Sequence, residues 1–441
     1  MRHSTVPRPT PVRHGRLPVR RARGPVARLL AAIVAVAVVS AGAVAAYAVQ
    51  DTVRSLKPSV HLVSAAGKAV TVPSIGAESG AVNILLAGTD TRTGQGGQFA
   101  SAQELAGSSG AGNNDVTMVL HLSADHQHAT VISIPRDLMV PIPSCPTSGG
   151  GSTSPQDKAQ FNTTLSTGGL SCVVLTAEAL TGLSIPYAAE VSFDGVSAMS
   201  DAVGGVTVCL ATPLTDPYVG LKLPAGQQTL VGAQALAFVR SRHGVGDGSD
   251  LGRISNQQLF LSSLLRKVTS AGVLANPLTL FTLAKAATSN LTLSDTMSSP
   301  TTLVSIGLAL KSVPLSDFVF LQYPAMTDPE NVNRVVPEPT GVDALKQALA
   351  SDTPVQLTGT TGNGTVSATP SPSATPATPS TAATPAPSAT SSAASGSTAG
   401  GSTAGGSTAT GSTPAPTSSA VSLPSNVTGQ TAAQQTCTKG N

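Results

Sequence analysis

The chain has 441 residues, of which only 11% are Asp, Glu, Lys or Arg, and carries a formal net charge of +3. That length admits two or three domains. The absence of Trp and an aromatic content of 3% argue against a lectin-like site built on rings stacked against sugars.

The chain opens with a basic segment, residues 1–28. It holds Arg2, Arg8, Arg13, Arg16, Arg20, Arg21, Arg23 and Arg28 and no acid. The net charge mostly reflects this segment and says nothing about partners of the rest. Leu29 to Val49 follows as an uncharged run rich in Ala, Val, Ile and Leu. As a helix it would be about 30 Å long, the thickness of a bilayer's hydrocarbon core. The arginines place the first segment in the cytoplasm and everything after Gln50 outside. The expected localisation is therefore the cell membrane, single-pass, with an extracytoplasmic domain. Ala46-Tyr47-Ala48 resembles a cleavage site, so a removed signal peptide is the alternative; both readings export the domain. The basic segment lacks a helical face, and topology with anionic lipid explains it without a nucleic-acid partner.

Residues 50–80 read as a juxtamembrane stalk and 81–350 as the globular domain. Val82 to Ala87 is a short apolar strand ending at Gly88, and Gly94 to Asn113 is a loop. Thr117 to Leu122 and Ala129 to Ile134 are strands joined by a polar turn, the second stopped by Pro135. Cys172 to Leu183 reads as a helix, Ala188 to Phe193 as a strand, Gly195 to Val203 as a helix and Val206 to Leu210 as a strand. Helices are expected over Gly232 to Val239, Leu251 to Val268, Pro277 to Ser289, Thr301 to Ser312 and Gly341 to Ala350. Asp317 to Tyr323 is a late strand. This alternation points to an α/β or α+β domain.

Residues 351–441 read as a disordered tail. Thr353 to Thr438 contains no Asp, Glu, Lys or Arg and repeats GSTAGGSTAGGSTA within Gly396 to Ala409. Such a composition buries too little apolar surface to offset its ordering entropy. Four cysteines fit an oxidising compartment. Cys145 and Cys172 flank a Gly/Ser/Thr loop and are the first pairing expected. Cys209 with Cys437 follows only by elimination.

No G-x-S-x-G, H-E-x-x-H or P-loop occurs. What stands out is a set of charged residues at strand ends. Asp90 and Arg92 follow the first strand, Asp115 precedes the second, and Arg136 and Asp137 follow the third. Arg240 and Arg242 lie two apart; Asp250, Arg253 and Gln257 follow within one helix. Strand ends of an open sheet commonly line a ligand crevice. Several arginines offer planar, permanently charged forks that match phosphate oxygens. Two aspartates on separate strands suit Mg²⁺ that keeps waters and binds substrate phosphates. Each residue also has a plain reading. Asp90 and Asp115 are strand-end caps, Arg136 with Asp137 is a surface pair worth under ~1 kcal/mol, Arg240 and Arg242 share a solvated face, and Asp250 is the N-cap of its helix. Only the cluster as a whole outweighs these.

The strings N-I-L-L-A-G-T-D-T-R, N-D-V-T-M-V-L-H-L and V-I-S-I-P-R-D-L-M-V-P-I-P resemble the LytR-CpsA-Psr family of cell-wall proteins. So do L-P-A-G-Q-Q-T-L-V-G-A-Q-A-L-A-F-V-R-S-R-H and D-L-G-R-I-S-N-Q-Q. The resemblance covers about Val82 to Val268 in order; the cysteine positions and Ala/Pro-rich tail resemble actinobacterial members. It implies a central mixed sheet flanked by helices after one N-terminal transmembrane helix. It also implies a Mg²⁺-dependent phosphotransferase that moves an anionic glycopolymer from a polyprenyl-pyrophosphate carrier to a peptidoglycan hydroxyl. Carried over by position, Asp90 and Asp115 would hold Mg²⁺. Arg136, Arg240 and Arg242 would grip the pyrophosphate, while Arg92, Arg253 and Gln257 would bind substrate. Asp90 would also help deprotonate the attacking hydroxyl. An apolar tunnel for the lipid is expected, with the helices after Cys172 and Leu251 as walls. Two positions depart from the family pattern, Asn113 and Asn256, each standing where many members carry arginine. Rival readings are a non-catalytic polymer- or lipid-binding envelope protein, a pyrophosphate hydrolase using the same site, and a transcriptional attenuator.

Overall fold

The computed structural model describes residues 58–63, 80–93, 101, 103, 110–147, 149–270, 286, 289–368 and 420–441. The membrane helix expected over 29–49 lies outside these, as does most of the helix expected from Pro277. Among the described residues no helix is long and apolar enough to cross a membrane.

The first three strands are β1 (Val82–Thr89), β2 (Asn114–Leu122) and β3 (Ala129–Ile134). Pro135 ends β3 because it has no N–H for a further rung. The short pair β4 (Met139–Ile142) and β5 (Gln156–Gln160) leads into helix α1 (Thr164–Thr181). Gly168 and Gly169 leave helical geometry inside α1, so the stretch read as starting at Cys172 is the straight part of a longer, kinked element. Then come β6 (Tyr187–Val191), α2 (Phe193–Ala202) and β7 (Val206–Leu210). The Ser192 side chain caps α2 by accepting from Gly195 N. After β8 (Leu214–Asp216), β9 (Leu221–Leu223) and β10 (Gly226–Leu230) come α3 (Gly232–Arg240) and α4 (Asp250–Thr269). The chain continues through β11 (Leu291–Leu293), α5 (Pro300–Ser312), β12 (Phe318–Gln322), the hairpin β13 (Ala325–Asp328) and β14 (Asn331–Pro337), and α6 (Pro339–Ala350). Proline in the first turn of α5 and α6 sacrifices no helical hydrogen bond.

The last strands are β15 (Val355–Gln356), β16 (Thr365–Ser367), β17 (Val421–Ser422), β18 (Gly429–Thr431) and β19 (Thr436–Thr438). This corrects the tail reading at both of its ends. β18 adds to the edge of the main sheet beside β12, and β19 inserts between β7 and β16 in a second sheet. Neither strand has the apolar content to form alone. Each is held by backbone bonds to a strand already in place, which composition does not reveal. Residues 58–63, expected in the stalk, also dock. Leu62 is buried in a core cluster, and Val60 N donates to Leu293 O at 2.9 Å.

The main sheet has the order β11-β6-β1-β2-β3-β12-β18. β1 is antiparallel to β2 and parallel to β6, and β3 is antiparallel to β2 and parallel to β12. It is therefore a mixed sheet, with helices on both faces. Leu85, Val119 and Ile132 pack with α1 and α6 on one face, while Met118, Val131 and Phe320 pack with α5 on the other. The second sheet, β10-β7-β19-β16, packs against α3 and α4 through Val208, Phe238 and Phe260. Both disulfides pair as expected, Cys145 with Cys172 and Cys209 with Cys437. The second ties β19 to β7 across a sequence separation of 228.

Candidate active site

Antiparallel register brings the charged residues to one edge. β1 ends at Thr89 opposite Asn114, where β2 begins, and β3 ends at Ile134 opposite Thr117. Asp90, Asp115 and Arg136 thus gather at one end of three neighbouring strands. The first two turns of α4 lie against that end. Asp250, Arg253 and Gln257 are three and four residues apart and share a helical face.

Four of these side chains form a quartet, Asp250 and Arg253 buried and Asp115 and Arg136 half-buried. Arg136 Nη1 donates to Asp115 Oδ1 at 3.0 Å, and its Nε lies 3.5 Å from Asp250 Oδ1. Arg253 Nη2 donates to the Asp115 carbonyl at 2.8 Å and lies 2.6 Å from Asp250 Oδ1. Arg253 Nη1 is 3.8 Å from Asp115 Oδ2. Burial opposes the charge on Arg136, but Asp115 and Asp250 outweigh it and raise the guanidinium's pKa. Asp250 shows the reverse balance. Burial pushes its carboxyl up, and Arg253 and Arg136 only partly offset this.

The N-cap reading of Asp250 is overturned. The cap is Ser249, whose Oγ accepts from Gly252 N at 3.2 Å. Asp250, one residue later, is freed to turn toward the arginines.

On one side of the quartet lies an apolar cavity of about 220 Å³. It runs between the sheet residues Leu86 and Met118 and the helix residues Val196, Leu236, Phe260 and Leu261. Asp115, Arg240, Arg253 and Gln257 close its polar end. The walls are thus α2, α3 and α4. The helix containing Cys172 packs on the opposite face of the sheet and is not part of them, which corrects that expectation. Arg240 is held with its Cζ 4.2 Å from the Phe193 ring centroid. On the other side lies a polar cleft of about 350 Å³ that includes Arg136, Asp137, Arg242 and Asp250. The cavity and the cleft have no lining residue in common.

Arg242 Nε donates to Gly248 O at 3.1 Å, within a loop held by a residue the motifs did not flag. Fully buried Asp216 accepts from Ser241 Oγ at 2.8 Å, Arg242 N at 3.0 Å, Gly244 N at 3.2 Å and Tyr218 N at 3.1 Å. Burial opposes its ionisation, but these donors win and hold the carboxyl below the usual range. A Cβ at Gly244 would meet Thr215 O at 2.7 Å, so the loop approaches Asp216 only because that position is glycine.

Asp90 and Arg92 sit outside the linings of both the cavity and the cleft. Asp90 Oδ1 accepts from Asn113 N at 2.7 Å. Gly112, at φ +69, lets the chain turn there; a Cβ would lie 2.6 Å from that oxygen. The departure at Asn113 therefore falls where the backbone supports Asp90. The departure at Asn256 is no part of the charged site. Asn256 is fully buried and bonds Phe238 O at 2.8 Å and Thr438 Oγ1 at 2.6 Å, locking α4 to α3 and β19. Gln257 Nε2 donates to Val239 O at 2.9 Å, which orients the cavity's polar end.

As for a metal, the described residues contain no group of three or more His, Cys, Asp or Glu able to hold an ion. The donor set at the strand ends is two carboxylates, Asp90 and Asp115, with Asp115 already shared between two arginines. That set fits Mg²⁺, which binds through one or two carboxylates and keeps waters for substrate phosphates. Arg334, on β14, is the lining residue sequence reasoning missed. It donates to Asp137 Oδ1 at 2.9 Å from 197 residues away, and no local pattern signals it.

A mixed sheet between helices, carrying a charged site at its strand ends beside an apolar cavity, defines the class as an α/β protein with a strand-end site. The chain belongs to the LytR_cpsA_psr family, whose model matches residues 42–350. Over 238 residues it is 34% identical to the cell wall biosynthesis protein LcpA of Corynebacterium glutamicum, covering 50% of this chain and 46% of that protein. It is 37% identical over 219 residues to the probable cell wall biosynthesis protein LcpB of the same organism, covering 50% of each. It is 33% identical over 193 residues to the polyisoprenyl-teichoic acid–peptidoglycan teichoic acid transferase TagU of Oceanobacillus iheyensis, covering 44% and 53%. The chain thus spans about half the length of the curated relatives it matches.

Proposed function

We propose that this protein transfers an anionic glycopolymer from a polyprenyl-pyrophosphate carrier to a peptidoglycan hydroxyl, releasing polyprenyl phosphate. The observation that carries the reading is the apolar cavity whose polar end is closed by Asp115, Arg240, Arg253 and Gln257. An apolar chain ending in a pyrophosphate matches that sequence of surfaces. The name of the TagU relative, a polyisoprenyl-linked polymer transferase, supports the same substrate class.

In this reading the lipid tail enters between α2, α3 and α4, and its pyrophosphate reaches the quartet. Arg240 and Arg253 take phosphate oxygens on the cavity side, and Arg136 and Arg242 on the cleft side. Bidentate forks of this kind contribute on the order of 1.5–3 kcal/mol each. Mg²⁺, held by Asp90 and Asp115, would neutralise phosphate charge. Catalysis then comes chiefly from positioning and from charges fixed in a partly buried site before reaction. An N-terminal membrane anchor would hold the enzyme beside its lipid-borne donor and raise the effective concentration without new contacts.

The test is a reaction of the full chain in detergent with a lipid-pyrophosphate oligosaccharide, Mg²⁺ and peptidoglycan fragments. The expected products are polyprenyl phosphate and acceptor-linked saccharide. Release of the lipid phosphate without saccharide on the acceptor would identify a hydrolase instead. Saturable binding with no turnover would identify a carrier-binding protein.

A further inference from the structure

The cavity and the cleft on either side of one charged wall give a displacement at phosphorus a direction. Asp115 and Arg253 line the cavity, while Arg136 and Asp250 line the cleft. An in-line displacement places the entering and leaving oxygens on opposite sides of phosphorus. With the polyprenyl phosphate leaving toward the apolar side, the entering hydroxyl comes from the cleft.

Two carboxylates line that cleft, Asp137 and Asp250. Asp137 is engaged: its Oδ1 accepts from Gln160 Nε2 at 2.7 Å and from Arg334 Nη1 at 2.9 Å. Asp250 is 6% exposed; its Oδ1 is ion-paired with Arg253 Nη2 at 2.6 Å and lies 3.5 Å from Arg136 Nε, while its Oδ2 has no hydrogen-bond partner among the described residues. A buried carboxylate oxygen left without a donor, as Oδ2 is, is costly unless a ligand supplies one.

We propose that the cleft binds the acceptor hydroxyl of a glycan and that Asp250 takes its proton, an assignment that rests on the transferase reading above. The acceptor O–H bond breaks and its proton passes to the Asp250 carboxylate. The acceptor oxygen forms a new bond to the sugar-proximal phosphorus. The bond from that phosphorus to the polyprenyl phosphate breaks, and the electron pair leaves with the lipid phosphate. The proton on Asp250 then returns to solvent through the cleft.

The groups facing Asp250 fit the task. Arg253, on its own helix, and Arg136, after β3, favour the ionised form before reaction, and Arg242 adds to this from the preceding loop. Asp137 and burial act the other way and push the carboxyl up, making it a stronger base than an exposed aspartate. Asp90, the base that the family resemblance offered, has Oδ1 occupied by the Asn113 amide and lies outside the cleft lining.

The experiment compares wild type, Asp250→Asn and Asp250→Glu as full chains with Mg²⁺, the lipid-pyrophosphate oligosaccharide and a soluble peptidoglycan oligomer. Asp250→Asn should lower kcat for transfer by about a hundredfold or more, leave donor affinity near wild type, and lose the acid limb of the pH–rate profile. Asp250→Glu, which keeps a carboxylate, should recover part of the rate and serves as the second variant if the amide perturbs folding. Wild-type-like transfer by Asp250→Asn, or donor affinity falling in step with kcat, would overturn the assignment. Failure of the wild type to transfer at all would instead sink the transferase reading on which it rests.

Discussion

Asp216 and Asp250 are both buried aspartates, and they bracket the same loop at residues 241–249, yet they are opposites. Asp216 is saturated by four donors and its carboxyl is held low. Asp250 pairs through Oδ1 with Arg253 and Arg136 but has no donor on Oδ2 among the described residues, lines a cleft, and its carboxyl is pushed up. Burial alone therefore does not separate a structural carboxylate from a chemical one. The separation comes from whether the protein itself satisfies the oxygens. Asp216 fixes the loop that presents Arg242; Asp250 is held by two arginines through one oxygen and keeps the other without a donor from the described residues.

The largest test of that contrast is Arg136→Ala. It removes a cation from beside Asp250 and from the phosphate site together; stability should fall because Asp250 loses a compensating charge, and lipid-phosphate release by the folded fraction should fall by about a hundredfold or more. Near-normal release would leave the charged wall without a role.

Asp216→Ala should act the other way, on the fold. It strands buried donors at Ser241, Arg242 and Gly244, and a denaturant titration should show a loss of about 3 kcal/mol or more. A loss well below 1 kcal/mol would mean the loop does not depend on Asp216. Acid sharpens the pair further. Asp216 is depressed, so its contribution is present above the ordinary carboxylate range and is lost as pH falls through its lowered value. Asp250 is raised, so protonation favours the fold, and its contribution is lost as pH rises through the raised value. In unfolding midpoints measured down to about pH 3, Asp216→Asn should converge with wild type only in the acid range, below about pH 4. Asp250→Asn should differ from wild type chiefly near neutrality.

Cys209→Ser probes the same loop from behind. Strand β19 is followed by Lys439, whose carbonyl accepts from Gly246 N at 2.9 Å, and by Asn441, whose N donates to Gly244 O at 3.0 Å. Losing the Cys209–Cys437 bridge should lower stability by about 2–5 kcal/mol, seen as a lower Tm that reductant also produces in the wild type. The smallest effect is expected from Arg334→Ala. Its pair with Asp137 is a third exposed on the arginine side and worth under ~1 kcal/mol. KM for the acceptor should rise a few-fold with donor affinity unchanged.

Much of this architecture was legible in the chain before folding. The apolar runs of β1 and β3, Pro135 as a stop, and the helical periodicity from Asp250 onward depend on neighbours a few residues away. Local chemistry fixes them wherever the chain goes. The same is true of the arginine and aspartate content at the strand ends and of the family resemblance those strings carry. What they could not assign is which charges meet. Ser249 and Asp250 are both good helix caps, and local sequence does not say which one caps and which turns to Arg136 and Arg253. The Thr- and Gln-rich strands β18 and β19 have no pattern of their own, because they are stable only against β12 and β7. Asn256 looked like a missing charge until packing against Phe238 and Thr438 gave it a place in the core. Arg334 reaches Asp137 across 197 residues, through a hairpin that only the folded chain lays over the site. Sequence determined the elements and the charged inventory, since both are set by covalently near neighbours. Tertiary structure decided which charges pair, which carboxylate is satisfied, and that an apolar cavity and a polar cleft share one wall, since those depend on residues brought together across the whole chain.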